Sequence, residues 1–167
     1  MGLLNEDTMD THYSIWLMPK DESLSKLSKD MCATNNTPTF PLHITLLPRI
    51  RKDYETVKVL AKQLASTLSP IALQVKGKGV KDRCVFLGVI STQLENAAKL
   101  ARTIFESEEP YTPHLGVLYA DFDKTKMNSI ASRLLAADVS FTIHSLHLAK
   151  TSRDVREWEV VDEIPFG

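Results

Sequence analysis

Two short segments of this 167-residue chain follow one plan, and that echo limits its possible folds more than any other feature. FPLHITLLP spans 40–48 and YTPHLGVLY spans 111–119, and each runs from proline to histidine and then through mainly apolar residues. Runs of this kind read as short strands. Their histidines, His43 and His114, stand 71 positions apart. If each half of the chain makes one lobe, a near-twofold relation between the lobes sets both strands, and both imidazoles, on a shared cleft.

The rest of the chain fits that plan. HYSIWLMP (12–19) reads as a strand, and 20–31 as a helix behind Asp21 as N-cap, with CATNNTPT (32–39) as loop. Residues 53–68 place Tyr54, Val57, Leu60, Ala61, Leu64 and Leu68 on one helical face, stopped by Ser69 and Pro70. IALQVKGKG (71–79) and CVFLGVI (84–90) form a hairpin, followed by a helix over 94–109, a strand over 110–122 and a helix over 124–138. Strands over 139–151 and 155–164 close the chain. Helices interleaved with adjacent strand pairs give an α+β fold: two β-sheet lobes with a pseudo-twofold relation, outer helices and a central cleft. The whole chain reads as a single domain, with residues 1–11 as a flexible N-terminal segment.

Composition narrows the function. Twenty basic against 21 acidic residues leave a net charge of -1, too little field to hold a long polyanion in physiological salt, so no stable nucleic-acid complex is expected. A small anion bound by local groups remains open. Cys32 and Cys84 form no CxxC pair, which predicts reduced thiols rather than a zinc site or disulfide. The N-terminus lacks the basic start and apolar run of a signal peptide, and no apolar stretch approaches the roughly 20 residues needed to span a bilayer. A monomer in the cytoplasm or nucleus, without membrane contact, is expected.

The chemistry follows from the paired histidines. Alternation along a strand turns His43 and Thr45 to one face, where the hydroxyl can hold a phosphate oxygen beside an imidazole placed to move a proton. His114 and Gly116 share a face in the second segment, but Gly116 offers no hydroxyl, while the Tyr119 phenol reaches the same cleft if the strand end turns. Opening a cyclic phosphate requires a base for water and an acid for the leaving oxygen, and histidine suits both near neutral pH.

These residues resemble the two-histidine phosphoesterase superfamily, in particular its cyclic phosphodiesterase branch. HITL at 43–46 meets the family's His-x-Thr/Ser-x motif, and PHLGVLYADF at 113–122 is similar to the second segment, with Gly116 in place of Ser or Thr. YSIWLMP, CVFLGV (84–89) and LAKTSRDVREWE (148–159) extend the likeness from Tyr13 to Trp158. The resemblance implies a bilobal α+β fold. It also implies metal- and cofactor-free hydrolysis of ADP-ribose 1″,2″-cyclic phosphate or nucleoside 2′,3′-cyclic phosphates, as in RNA metabolism and tRNA splicing. By the same pattern His43 and His114 are acid and base, Thr45 binds phosphate and Tyr119 assists. Two alternatives stay open: an RNA-end phosphodiesterase of the superfamily, and a module that binds a nucleotide phosphate without turnover.

Other residues carry competing readings. Trp16 is either core or an apolar wall for a base or ribose. Trp158 reads as packing, His12 as exposed, and His144 and His147 as structural or surface residues. Lys76, Lys78, Lys81 and Arg83 read either as a solvated hairpin or as a group that steers a phosphorylated ligand.

Overall fold

A computed structural model describes residues 12–108, 110–135 and 138–167; the N-terminal segment 1–11, expected to be flexible, lies outside the described residues. Among these residues the order is β1 (His12–Leu17), α1 (Glu22–Asn35), β2 (Ile44–Ile50), α2 (Tyr54–Thr67), β3 (Ile71–Lys81), β4 (Cys84–Ile90), α3 (Thr92–Phe105), β5 (Leu115–Tyr119), α4 (Lys124–Arg133), β6 (Ser140–Ile143), β7 (Ser145–Thr151) and β8 (Glu159–Pro165). Each helix starts at a residue whose side-chain oxygen accepts a backbone N–H three positions on: Asp21, Asp53, Ser91 and Asp123. Helix α1 runs to Asn35, past its expected end, because Cys32 is fully buried and Asn36 stops the helix in the left-handed conformation.

All strand pairs are antiparallel, in the order β6-β3-β4-β5-β2-β1-β7-β8. The sheet divides into two four-stranded lobes, β2-β1-β7-β8 and β5-β4-β3-β6, which pair across the boundary at Ile44 and Leu115, the residues next in sequence to the two histidines. The lobes are not the two halves of the sequence. β7 and β8 return to the first lobe, where β7 covers an edge of β1 that would otherwise be left unpaired. The expected strand over 139–151 is therefore two strands with His144 between them, in opposite lobes: β6 on the edge beside β3, and β7 between β1 and β8. The expected strand over 110–122 shortens to β5, with His114 immediately before it.

Helices are exchanged between the lobes. α1, which lies between β1 and β2 in sequence, packs on β5, and α3, between β4 and β5, packs on β2 and β3. α2 covers β1, β7 and β8, while α4 covers β3 and β4. The unit strand–helix–histidine strand–helix thus occurs twice, once as β1-α1-β2-α2 and once as β4-α3-β5-α4.

The two histidine strands also share an irregularity. In β2 the register passes from Thr45 opposite Trp16 to Leu47 opposite Ile15, which skips Leu46. In β5 it passes from Gly116 opposite Phe86 to Leu118 opposite Val85, which skips Val117. Each bulge lies three residues after its histidine and reverses the facing of the residues beyond it. The Val117 carbonyl accepts from the buried Ser28 hydroxyl at 2.8 Å, and the Cys32 thiol lies 3.8 Å from it, so α1 satisfies a group on the bulged residue.

Candidate active site

His43 is buried, 2 % exposed, in an aromatic setting. The Trp16 ring stacks on it at 3.6 Å with an interplanar angle of 9°, and Phe40 and Trp158 meet it edge-on. Its Nδ1 is 2.7 Å from the Pro41 carbonyl. A carbonyl can only accept, so Nδ1 carries the hydrogen and Nε2 is left to exchange a proton with a ligand. Burial disfavours the charged ring and lowers the His43 pKa to about 4; the Pro41 bond opposes this, and the His114 charge adds to it.

His114 repeats the arrangement in a wetter place. Its Nδ1 is 2.9 Å from the Thr112 carbonyl, again two residues back, which fixes the same tautomer. Phe86 and Tyr111 pack against the half-buried ring. Desolvation lowers its pKa, the Thr112 bond opposes the shift, and the nearby Lys81 ammonium lowers it further.

Both imidazoles line one cleft of about 590 Å³, together with Trp16, Thr45 and Tyr119. Gly116, opposite Phe86 in the β4–β5 ladder, is buried beneath the Tyr119 ring. The Val117 bulge explains why Tyr119 arrives here: simple alternation from Gly116 would turn it away, and the skipped residue turns it back. Tyr119 lies opposite Cys84 in the ladder, and the Cys84 thiol donates to the Val85 carbonyl at 3.5 Å. Burial pushes the Cys84 thiol up to about 12 and the Tyr119 phenol well above its usual value, so both stay protonated at neutral pH.

Several cleft residues escaped the sequence reading. Tyr111 lines the cleft with Thr45 from the opposite lobe, and burial raises its phenol to about 12. Trp158, read as packing, lines the cleft; its indole N–H donates to the Ser152 carbonyl at 2.7 Å, and its ring meets Trp16, His43 and Tyr119. Phe40, outside the cleft lining, touches both His43 and Tyr119. Aromatic residues beside a motif histidine were the available signal, but only tertiary contact separates a cleft aromatic from a core one. His12, expected exposed, is half-buried in the cleft wall.

Trp16 is 1 % exposed, with a ring face committed to His43. The basic hairpin divides in two. Lys78 donates to the Ser132 and Leu134 carbonyls at the end of α4, whereas Lys81 and Arg83 line the cleft with Arg49, Arg51 and Arg153. Arg83 is held by Asp121 at 2.6 Å and the Arg153 carbonyl at 2.8 Å. His147 lies away from the cleft, buried, with Nε2 3.5 Å from Glu163.

A two-lobed antiparallel sheet that brings one backbone-locked imidazole from each lobe to a common cleft is the architecture of the two-histidine phosphoesterases. The chain belongs to the 2'-5' RNA ligase superfamily, whose family model matches residues 15–155. It is 24% identical over 173 residues to the cyclic phosphodiesterase of Arabidopsis thaliana, an alignment covering 93% of this chain and 96% of that protein. Among solved structures it resembles TT0787 of Thermus thermophilus, with a TM-score of 0.71 and 15% identity over 92% of this chain and 97% of that one. It also resembles E. coli LigT complexed with 3'-AMP, with a TM-score of 0.66 and 16% identity over 94% of this chain and 98% of that one. No helix among the described residues is long and apolar enough to cross a membrane.

Proposed function

We propose that this chain is a phosphodiesterase that opens a small cyclic phosphate ester between His43 and His114, without a metal ion. The observation that carries this reading is the pair of imidazoles on one cleft, each with Nδ1 held by the carbonyl two residues before it and Nε2 left for the ligand. Among the described residues no group of three His, Cys, Asp or Glu side chains is placed to hold a metal. Thr45 binds the phosphate beside His43, and Trp16 acts on the ligand indirectly, by fixing the His43 ring.

The surroundings support a division of labour. When the site holds one proton it resides on His114, the less buried ring, so His43 is the base that activates water and His114 the acid that protonates the leaving oxygen. A second hollow of about 500 Å³ shares Arg83, Tyr119, Ser152 and Arg153 with the cleft, and this favours a ligand longer than one nucleotide, such as ADP-ribose 1″,2″-cyclic phosphate.

Phosphorus NMR of the purified chain with that compound and with each nucleoside 2′,3′-cyclic phosphate tests the reading. Turnover is expected, with the ADP-ribose compound preferred, and His43→Gln or His114→Gln should each cost at least about 100-fold in kcat while the fold is kept. A substrate with sulfur at the leaving position needs no acid, so it should rescue His114→Gln and leave His43→Gln inactive. Absence of turnover by the unsubstituted chain, or near-normal rates in either variant, would overturn the mechanism.

A further inference from the structure

At the position where the motif calls for a hydroxyl, the chain has Gly116, and the structure shows which group fills the space. A Cβ built on Gly116 would lie 2.5 Å from the Tyr119 hydroxyl, 2.9 Å from Cζ and 3.0 Å from Cε2. The phenol therefore occupies the volume that a serine side chain would take. Tyr119 is not free to swing aside, because Phe40 and Trp158 each meet its ring at 4.9 Å and Trp158 is itself anchored to the Ser152 carbonyl.

We infer that Gly116 and Tyr119 act as one unit, in which the glycine makes room for the Tyr119 hydroxyl to take over the phosphate-binding role of the missing serine. The geometry has three parts. The Val117 bulge brings Tyr119 to the cleft face, the absent side chain at 116 lets the phenol lie against the strand, and the aromatic pair holds it there. The Cys84 thiol, the cross-strand neighbour of the phenol, is a weak acceptor, so the phenolic hydrogen is available to a phosphate oxygen. Tyr119 stays protonated and serves as donor, while Gly116 is a positioning residue that touches no ligand. This inference rests on the phosphate site proposed above, and it reverses what the motif alone implies, since restoring serine at 116 damages the site.

The test measures the affinity for inorganic phosphate by phosphorus NMR, and kcat/KM for a nucleoside 2′,3′-cyclic phosphate, in five proteins: the unsubstituted chain, Tyr119→Phe, Gly116→Ser, Tyr119→Leu and the double variant Gly116→Ser/Tyr119→Leu. Tyr119→Phe keeps the ring and loses the donor, so it should weaken phosphate binding roughly 10-fold or more, as expected for a hydrogen bond to a charged group. Gly116→Ser should weaken it in the unsubstituted background and strengthen it in the Tyr119→Leu background, where the serine has room. That change of sign is the signature of coupling between the two positions. Phosphate binding unaffected by Tyr119→Phe, or improved by Gly116→Ser alone, would overturn the inference and leave the phosphate site standing. Failure of the unsubstituted chain to bind phosphate at all would overturn the site itself.

Discussion

The two histidines differ in surroundings more than in geometry, and this governs how the protein responds to pH. Both are pushed toward the neutral form, His43 to about 4 and His114 below its usual value, in each case mainly by desolvation. The productive free enzyme needs one ring charged and one neutral, so kcat/KM should peak between about pH 4 and 6.5 and fall as pH rises through the higher of the two values. A bound phosphate anion raises both, so the kcat profile should lie on the alkaline side of the kcat/KM profile. Coincident profiles, or a kcat/KM optimum above about pH 7, would contradict the assignment. Tyr111 gives a second expectation at this scale. Its hydroxyl shares the cleft with Thr45 while its ring supports His114. Tyr111→Phe keeps the ring and removes a hydroxyl from the phosphate side of the cleft, so KM should rise by roughly 2- to 10-fold with kcat nearly unchanged. A large loss in kcat would give Tyr111 a part in the proton transfers.

At the scale of elements, the β5 bulge is the feature on which the site depends, and α1 secures it. The Ser28 hydroxyl bonds the carbonyl of Val117, the skipped residue, from a buried position. Ser28→Ala removes that hydrogen bond and should cost about 1–3 kcal/mol in denaturant unfolding, together with lower activity as Tyr119 shifts. Unchanged stability would show that the Cys32 thiol or water suffices. The bulge also marks the limit of what could be read from the chain alone. Capped helices were legible because Asp21 and the periodic apolar face over 53–68 are local signals. The histidine strands were legible because their plan is repeated. The bulge is a relation between β5 and β4, and the separation of β6 from β7 at His144 depends on which edges need partners, so neither is written in a local pattern. For the same reason Tyr119 could be placed near the cleft only on condition that its strand turned, and Trp158 could not be told from core.

The molecule as a whole is interlocked. Each lobe receives its cover over the histidine strand from a helix that the chain supplies while building the other lobe, since α1 lies on β5 and α3 on β2. Neither lobe buries its sheet without the other, so the two should unfold in one transition with calorimetric and van't Hoff enthalpies equal. Two resolved transitions would show that the lobes are separable. The exchange of helices has a consequence for a severed chain. A cut between Ser69 and Pro70 would leave one fragment with α1 but not the β5 strand it covers, and another with α3 but not the β2 strand it covers. Each piece alone would expose an apolar surface shaped for its counterpart. Expressed together, the two should find one another and reconstitute the cleft, in the manner of a split reporter whose halves are dark until joined.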